Sequence, residues 1–351
     1  MESNSILLSI YYSERPMGSP MQTAPEDDFN REFHIMLIKG SKKTLAWVRA
    51  MRPQFYLMAL IGYTMGALVA YGITREFNLM RYILGYMVLF FIQLSTVFTN
   101  DYYDYDSDRI NRNSSVFTGG SRTLVERKIT ISELKTGIII SLFAILILSI
   151  VLLLSTGKDI TIQTGVFMCI GLLLGLGYTV PPLKLCYRGL GEFDVGLFFS
   201  FYIIHFGYIL QGGTWSDRLL WWLSIPLFFS TFAAITLSGI PDRQADRAVS
   251  KQTLAVFLGS RSAAILSLFS ITLAAITSVL IWYLNFKESL IGIAILIVLP
   301  HSFFMWIAII RFINSKKYDT KINGIMILSL TYILWFGIIP LLYILHVNSL
   351  L

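Results

Sequence analysis

Long apolar runs separated by short charged clusters set the pattern of this chain. Nine intervals contain no Asp, Glu, Lys or Arg: Pro53–Thr74, Tyr82–Asn100, Thr136–Gly157, Ile160–Leu183, Val195–Ser216, Leu219–Pro241, Ser262–Phe286, Ser289–Ile310 and Ile322–Leu351. A membrane-crossing helix needs about 20 mostly apolar residues. Hydrocarbon offers no partner to a backbone amide, so such runs must pair their own backbone as helices. The pattern predicts an all-α polytopic membrane protein with about nine transmembrane helices. Residues 1–45 stand apart. Met1–Gly18 is mildly apolar, Ser19–Glu32 is acidic and polar, and Phe33–Ile38 is too short to span. No charged, apolar and cleavage regions follow in the order of a signal peptide. Lys42, Lys43, Arg49 and Arg52 flank Leu45–Val48, which suits either a helix on the membrane surface or a charged approach to the first span. The expected organisation is a cytoplasmic or membrane-surface segment over 1–45 and a transmembrane domain over 46–351.

Composition agrees with the pattern. Hydrophobic residues make up 55% of the 351 positions and charged residues only 14%, against roughly a quarter charged in soluble domains. The net charge of +7 does not imply a nucleic-acid partner, because the cations sort by loop. Arg109, Arg112, Arg122, Arg127, Lys128 and Lys135 lie between the second and third runs. Lys184 and Arg188 follow the fourth, Arg243, Arg247, Lys251 and Arg261 the sixth, and Arg311, Lys316, Lys317 and Lys321 the eighth. The other loops hold only Arg75, Arg81, Lys158, Arg218 and Lys287. The positive-inside rule then places the N-terminus and the rich loops in the cytoplasm, with the chain in the cytoplasmic membrane. Cys169 and Cys186 suggest neither a disulfide framework nor a zinc site.

Two acidic clusters fall in the cation-rich loops. The first is Asn100-Asp101-Tyr102-Tyr103-Asp104-Tyr105-Asp106-Ser107-Asp108. In a continuing helix, Asp101, Asp104 and Asp108 share one face. Like charges at that spacing repel, so a cation is expected among them, and oxygen-only donors suit a hard ion such as Mg2+. Neither an EF-hand glycine nor its terminal glutamate is present for calcium. Thr118-Gly119-Gly120-Ser121-Arg122 follows, with glycines that permit close backbone approach and an arginine fork suited to phosphate oxygens. The second cluster is Asp242-Arg243-Gln244-Ala245-Asp246-Arg247, with Lys251 five positions on. Carboxylates alone repel phosphates, whereas bound metal with Arg243, Arg247 and Lys251 reverses that sign. The pair of clusters therefore reads as a site for a diphosphate, where metal and basic side chains stabilise charge on a leaving group.

These residues resemble the UbiA superfamily of intramembrane prenyltransferases. Its first motif, Asn-Asp-x-x-Asp-x-x-x-Asp, matches Asn100, Asp101, Asp104 and Asp108. Its second, Asp-x-x-x-Asp, matches Asp242 and Asp246, followed by Lys251-Gln252-Thr253-Leu254-Ala255. The resemblance runs from about Ala46 to the last span. Trp47 with Arg49, Ala50, Arg52 and Pro53, the stretch Tyr178–Lys184, and Tyr187-Arg188-Gly189-Leu190-Gly191-Glu192 are similar to the 1,4-dihydroxy-2-naphthoate branch of menaquinone biosynthesis. Asp106 is an extra carboxylate, and Thr179 replaces a frequent serine.

The resemblance implies a bundle around a central cavity with a lateral opening for an isoprenoid tail in membrane lipid. It implies an Mg2+-dependent transfer of a polyprenyl group from its diphosphate to an aromatic acid. For 1,4-dihydroxy-2-naphthoate the reaction loses CO2 and gives a demethylmenaquinol. Asp101, Asp104, Asp108, Asp242 and Asp246 are then the expected metal ligands. Lys251 and Tyr178 join them in catalysis, the tyrosine ring facing an allylic cation. Arg52, Asn100, Arg122, Lys184, Arg188 and Arg243 are the expected substrate contacts, Arg52 for the acceptor carboxylate. Glu192 and Asp194 are candidate proton acceptors or, alternatively, residues that cap or orient a helix. No obligate protein partner is implied. The alternatives are another ring, such as 4-hydroxybenzoate or homogentisate, or a transporter for an anionic or phosphorylated substrate.

Overall fold

The computed structural model describes residues 42–285 and 293–348. The expectation for 1–45 therefore lies almost wholly outside the described residues. Residues from Ala46 onward form one compact unit. Among the described residues, nine helices are long and apolar enough to cross a membrane, and no strand occurs. The spanning helices are α1 (Tyr56–Thr74), α2 (Leu79–Tyr103), α3 (Ile131–Ser155), α4 (Ile160–Gly177), α5 (Gly191–Leu210), α6 (Arg218–Ala248), α7 (Ser260–Leu284), α8 (Ala294–Ser315) and α9 (Asn323–Val347). The protein is an integral membrane protein of all-α fold, as its apolar pattern requires.

The helices close on one another. α1 packs on α5 and on α9, α2 on α3 and α4, α6 on α5, α7 and α9, and α8 on α7 and α9. The α1–α5 contact is the tightest in backbone terms. A Cβ on Gly66 would stand 1.9 Å from the Ile204 carbonyl oxygen, and one on Gly207 would stand 2.1 Å from that of Tyr63. Helices in lipid gain their association from such close van der Waals approach. Outward positions of α3, among them Ile139, Phe143 and Leu154, are exposed and apolar, as a lipid-facing helix requires.

Three local breaks shape the site and the cavity beside it. Arg52 precedes Pro53, and a residue before proline is pushed out of the right-handed helical region. Arg52 takes a left-handed conformation, φ 53°, and a single 3-10 turn, Pro53–Phe55, leads into α1. α2 stops at Asp104 (φ −88°, ψ 5°), and a short helix, Tyr105–Ile110, follows. The first acidic cluster is thus split across two helices instead of lying along one. In α5, a π-turn at Phe198–Tyr202 widens the helix where Phe198 and Phe199 both face the central cavity.

Candidate active site

The loops after α2, α4 and α6 converge at the same end of the bundle, and they bring the two acidic clusters into one hydrogen-bonded network. Asp101, Asp104, Asp108 and Asp246 are each buried, as is Lys251; Asp242 is half-buried. Lys251 joins the clusters. Its Nζ donates to Asp104 Oδ2 at 2.6 Å and stands 3.7 Å from Asp246 Oδ1. The same Asp104 accepts from Asn100 Nδ2 at 2.7 Å and from the Tyr187 hydroxyl at 2.9 Å. Ser107 Oγ donates to Asp246 at 2.7 Å. Asn111 Nδ2 donates to Asp242 at 2.7 Å, and the Gly119 amide donates to it at 3.0 Å.

The Gly-Gly-Ser loop threads between the clusters. Gly119 and Gly120 have φ of +75° and +70°, in the left-handed region open to glycine. A Cβ on Gly120 would fall 1.9 Å from Asp108 Oδ2. Ser121 meets Asp101 through both its amide and its hydroxyl. Arg52 ion-pairs with Asp101 and donates to Asn100 Oδ1 at 3.2 Å. The Arg122 guanidinium donates to the main-chain carbonyl of Asp108. Gly120→Ala is expected to leave membrane insertion intact and cut turnover by about 100-fold, because displacing Asp108 by an ångström costs that order. Turnover of purified protein, with its melting temperature as control, checks this.

Electrostatics follow from crowding acids in a dry pocket. Burial, then the neighbouring Asp104, pushes Asp108 up to about 8. Burial alone would lower the Lys251 ammonium, but Asp104 and Asp246 hold it well above its ordinary value. Burial raises the Tyr178 phenol and, with Asp104, the Tyr187 phenol, so both rings stay neutral.

Below the network lies a cavity of about 190 Å³ enclosed by α1, α2, α4, α5, α6 and α9. Arg52 and Asn100 form its polar mouth, and Tyr178 lines it. Phe117, Phe198, Phe199, Ile235 and Ile333 give it apolar and aromatic walls.

The structure gathers most of the expected residues and redistributes others. Asp101, Asp104, Asp108, Asp242, Asp246, Lys251, Asn100, Arg52 and Arg122 meet in the network. Lys184 Nζ lies over the rings of Tyr187 and Tyr103, at 4.5 and 5.6 Å, beside the network. Arg188 is exposed and donates to the Pro182 carbonyl at 2.8 Å, away from the carboxylates. Arg243 is half-buried, and its Nε has no hydrogen-bond partner. Asp106 is exposed and faces Arg109 at 3.7 Å, outside the cluster. Glu192 accepts from the Leu254 amide at 2.8 Å and so ties the start of α5 to the loop that carries Lys251. Tyr187, Ser107, Asn111 and Ser121 were not expected in the site. They are neutral polar residues with no periodic signal, and only the fold brings them to the aspartates.

The chain is similar to known proteins over most of its length. Digeranylgeranylglyceryl phosphate synthase of Methanosphaera stadtmanae is 26% identical over 271 residues, 77% of this chain and 89% of that protein. The 2-carboxy-1,4-naphthoquinone phytyltransferase of Synechocystis is 29% identical over 244 residues, 66% of this chain and 73% of the relative. A UbiA homolog from Archaeoglobus fulgidus, solved bound to GPP and Mg2+, superposes with a TM-score of 0.61 at 19% identity. That superposition covers 87% of this chain and 99% of the homolog. The profile of the UbiA prenyltransferase family matches residues 59–331, and the chain belongs to that family.

Proposed function

We propose that the protein transfers a polyprenyl group from a polyprenyl diphosphate to 1,4-dihydroxy-2-naphthoate, with loss of CO2, giving a demethylmenaquinol. The observation that carries this reading is the junction of two acidic clusters and a basic set at the mouth of an aromatic-walled cavity. The naphthoquinone phytyltransferase from Synechocystis supports the choice of ring. The work is assigned to residues 46–351, in the cytoplasmic membrane with the network facing the cytoplasm, as the loop charges favour.

The donor set fits Mg2+. It is oxygen-only, as a hard divalent ion prefers, and burial together with the neighbouring Asp104 pushes Asp108 up to about 8. Among the described residues no three acids stand close enough together to hold a metal; Arg52 pairs with Asp101 and Lys251 with Asp104. Asp101, Asp104, Asp108, Asp242 and Asp246 would hold the metal, with Lys251 turning to the diphosphate. When bound, Mg2+ supplies charge neutralisation on the leaving group.

The chain's own residues do the rest. Lys251, Arg122 and Arg243 bind diphosphate oxygens, Arg122 through its planar fork. Lys184 and Arg188 add positive charge at the approach. Tyr178, neutral and buried, turns its ring to the allylic carbon as the C–O bond breaks. The aromatic walls exclude water, which would otherwise capture the carbocation. Arg52 Nε, buried without a partner, receives the acceptor carboxylate.

A second reading has its own support. The relative from Methanosphaera matches more of this chain, and it is named for a glyceryl phosphate product instead of a ring. The deciding experiment supplies purified enzyme with Mg2+, a radiolabelled prenyl diphosphate, and a panel of acceptors. The panel includes the naphthoate, 4-hydroxybenzoate, homogentisate and a prenylated glyceryl phosphate. Labelled naphthoquinol product with release of CO2 is expected. Transfer only to the glyceryl phosphate or to another ring would replace the naphthoate. No transfer to any acceptor, together with uptake of an anionic substrate into sealed vesicles, would favour a transporter.

A further inference from the structure

Three further polar side chains line the cavity and take no part in the proposed diphosphate binding. They are Gln93 of α2, Asp194 of α5 and Thr231 of α6. Their exposures are 5%, 4% and 7%. Neither Gln93 Oε1 nor Nε2 has a hydrogen-bond partner, and none is found for Asp194 Oδ1 or the Thr231 hydroxyl. Each orphaned buried polar atom costs about 1–3 kcal/mol, and a charged one more. Buried polar atoms are normally paired. Three helices that each direct such a cost into one space point to a ligand that relieves it.

The chemistry of the three narrows the ligand. A carboxylate accepts, a hydroxyl donates and accepts, and an amide offers both an acceptor and two donors. A group that both donates and accepts can pair with any of the three. A hydroxyl does this. Arg52, the guanidinium at the mouth, lines the same cavity, so an anionic substituent and a hydroxyl on one ring have separate receptors.

We propose that Gln93, Asp194 and Thr231 form a hydroxyl-recognising subsite that seats a ring hydroxyl of the prenyl acceptor. The inference rests on the reading of the protein as an aromatic prenyltransferase. It makes hydroxyl recognition, beside the carboxylate–Arg52 contact, the determinant of acceptor choice. It assigns Asp194 a substrate contact that neither motif contains.

The test uses full-length enzyme in lipid nanodiscs with Mg2+ and prenyl diphosphate. The acceptors are 1,4-dihydroxy-2-naphthoate and its two mono-O-methyl ethers. Wild-type enzyme should prefer the free diol over at least one ether by about 10- to 100-fold in kcat/KM, the value of one or two buried hydrogen bonds. Asp194→Asn, Gln93→Leu and Thr231→Val should each raise the acceptor KM by about tenfold and leave the prenyl diphosphate KM unchanged. Asp194→Asn should also collapse the diol-to-ether preference, and Thr231→Ser should restore the wild-type acceptor KM. A merely structural role would move both KM values together and keep the preference. Unchanged acceptor KM in all three variants, with the preference intact, overturns the subsite while prenyl transfer stands. Absence of wild-type turnover overturns the prenyl-transfer reading instead. Titration of the naphthoate against intrinsic fluorescence then decides the subsite: about tenfold weaker binding in Asp194→Asn supports it, and equal binding overturns it.

Discussion

Asp104→Asn is expected to lower prenyl transfer by about 1000-fold, the order that loss of one preorganised charge-stabilising group costs. Asp104 is the most connected acid in the site. It accepts from Lys251, Asn100 and Tyr187 at 2.6, 2.7 and 2.9 Å, and it sits at the break where α2 ends. Asparagine keeps the shape and removes the charge, so the loss falls on metal and diphosphate binding more than on folding. The amide would also face the Lys251 ammonium with a donor in one of its two orientations. The measurement is kcat of purified variant, with melting temperature in the same detergent as control. Wild-type turnover in a folded Asp104→Asn protein would remove the first cluster from the chemistry.

Lys251→Met should have the second large effect, and it should appear in stability as well as in rate. The lysine is buried between Asp104 and Asp246 and lies 5.6 Å from the Tyr187 ring centre. Removing one member of a buried ion pair leaves an uncompensated charge, at a cost of about 3–5 kcal/mol. Methionine retains the stem and deletes the ammonium. The variant should melt well below wild type, and Mg2+ should raise its melting temperature more than it raises that of wild type. The double variant Asp104→Asn/Lys251→Met should lose less stability than the two single changes added together, because they remove one shared interaction. Equal melting temperatures for wild type and Lys251→Met would contradict the network described here.

The spans were legible because the bilayer leaves a chain few choices. Their ends were less so. The uncharged run Ile160–Leu183 overshoots α4, which stops at Gly177, because charge says nothing about where the turn before Pro181 and Pro182 begins. The aspartates were legible from their repeated spacing, yet that spacing suggested one continuous helical face. The chain instead breaks at Asp104, and burial selects Asp101, Asp104 and Asp108 while Asp106 turns to solvent.

What spacing cannot carry is partnership across the bundle. Lys251 lies five positions beyond Asp246 but bonds to Asp104, 147 residues away. Arg52 was expected on the acceptor carboxylate, and its Nη2 is held by Asp101, leaving Nε free for that role. Gly120 was readable as a turn residue, but its need to clear Asp108 was not. Tyr187 and Ser121 carry no charge pattern that would single them out, although each touches a motif aspartate. Family motifs therefore located the acids, and tertiary structure supplied the groups that hold them.

Both acidic clusters are expected to bind one metal–diphosphate unit. Calorimetric titration of Mg2+ with a non-hydrolysable prenyl thiodiphosphate into detergent-purified protein tests it most directly. Wild-type protein should bind the thiodiphosphate only when Mg2+ is present, and both Asp104→Asn and Asp246→Asn should weaken that binding by at least about tenfold. Binding that is independent of Mg2+, or unchanged by both substitutions in folded protein, would contradict the account.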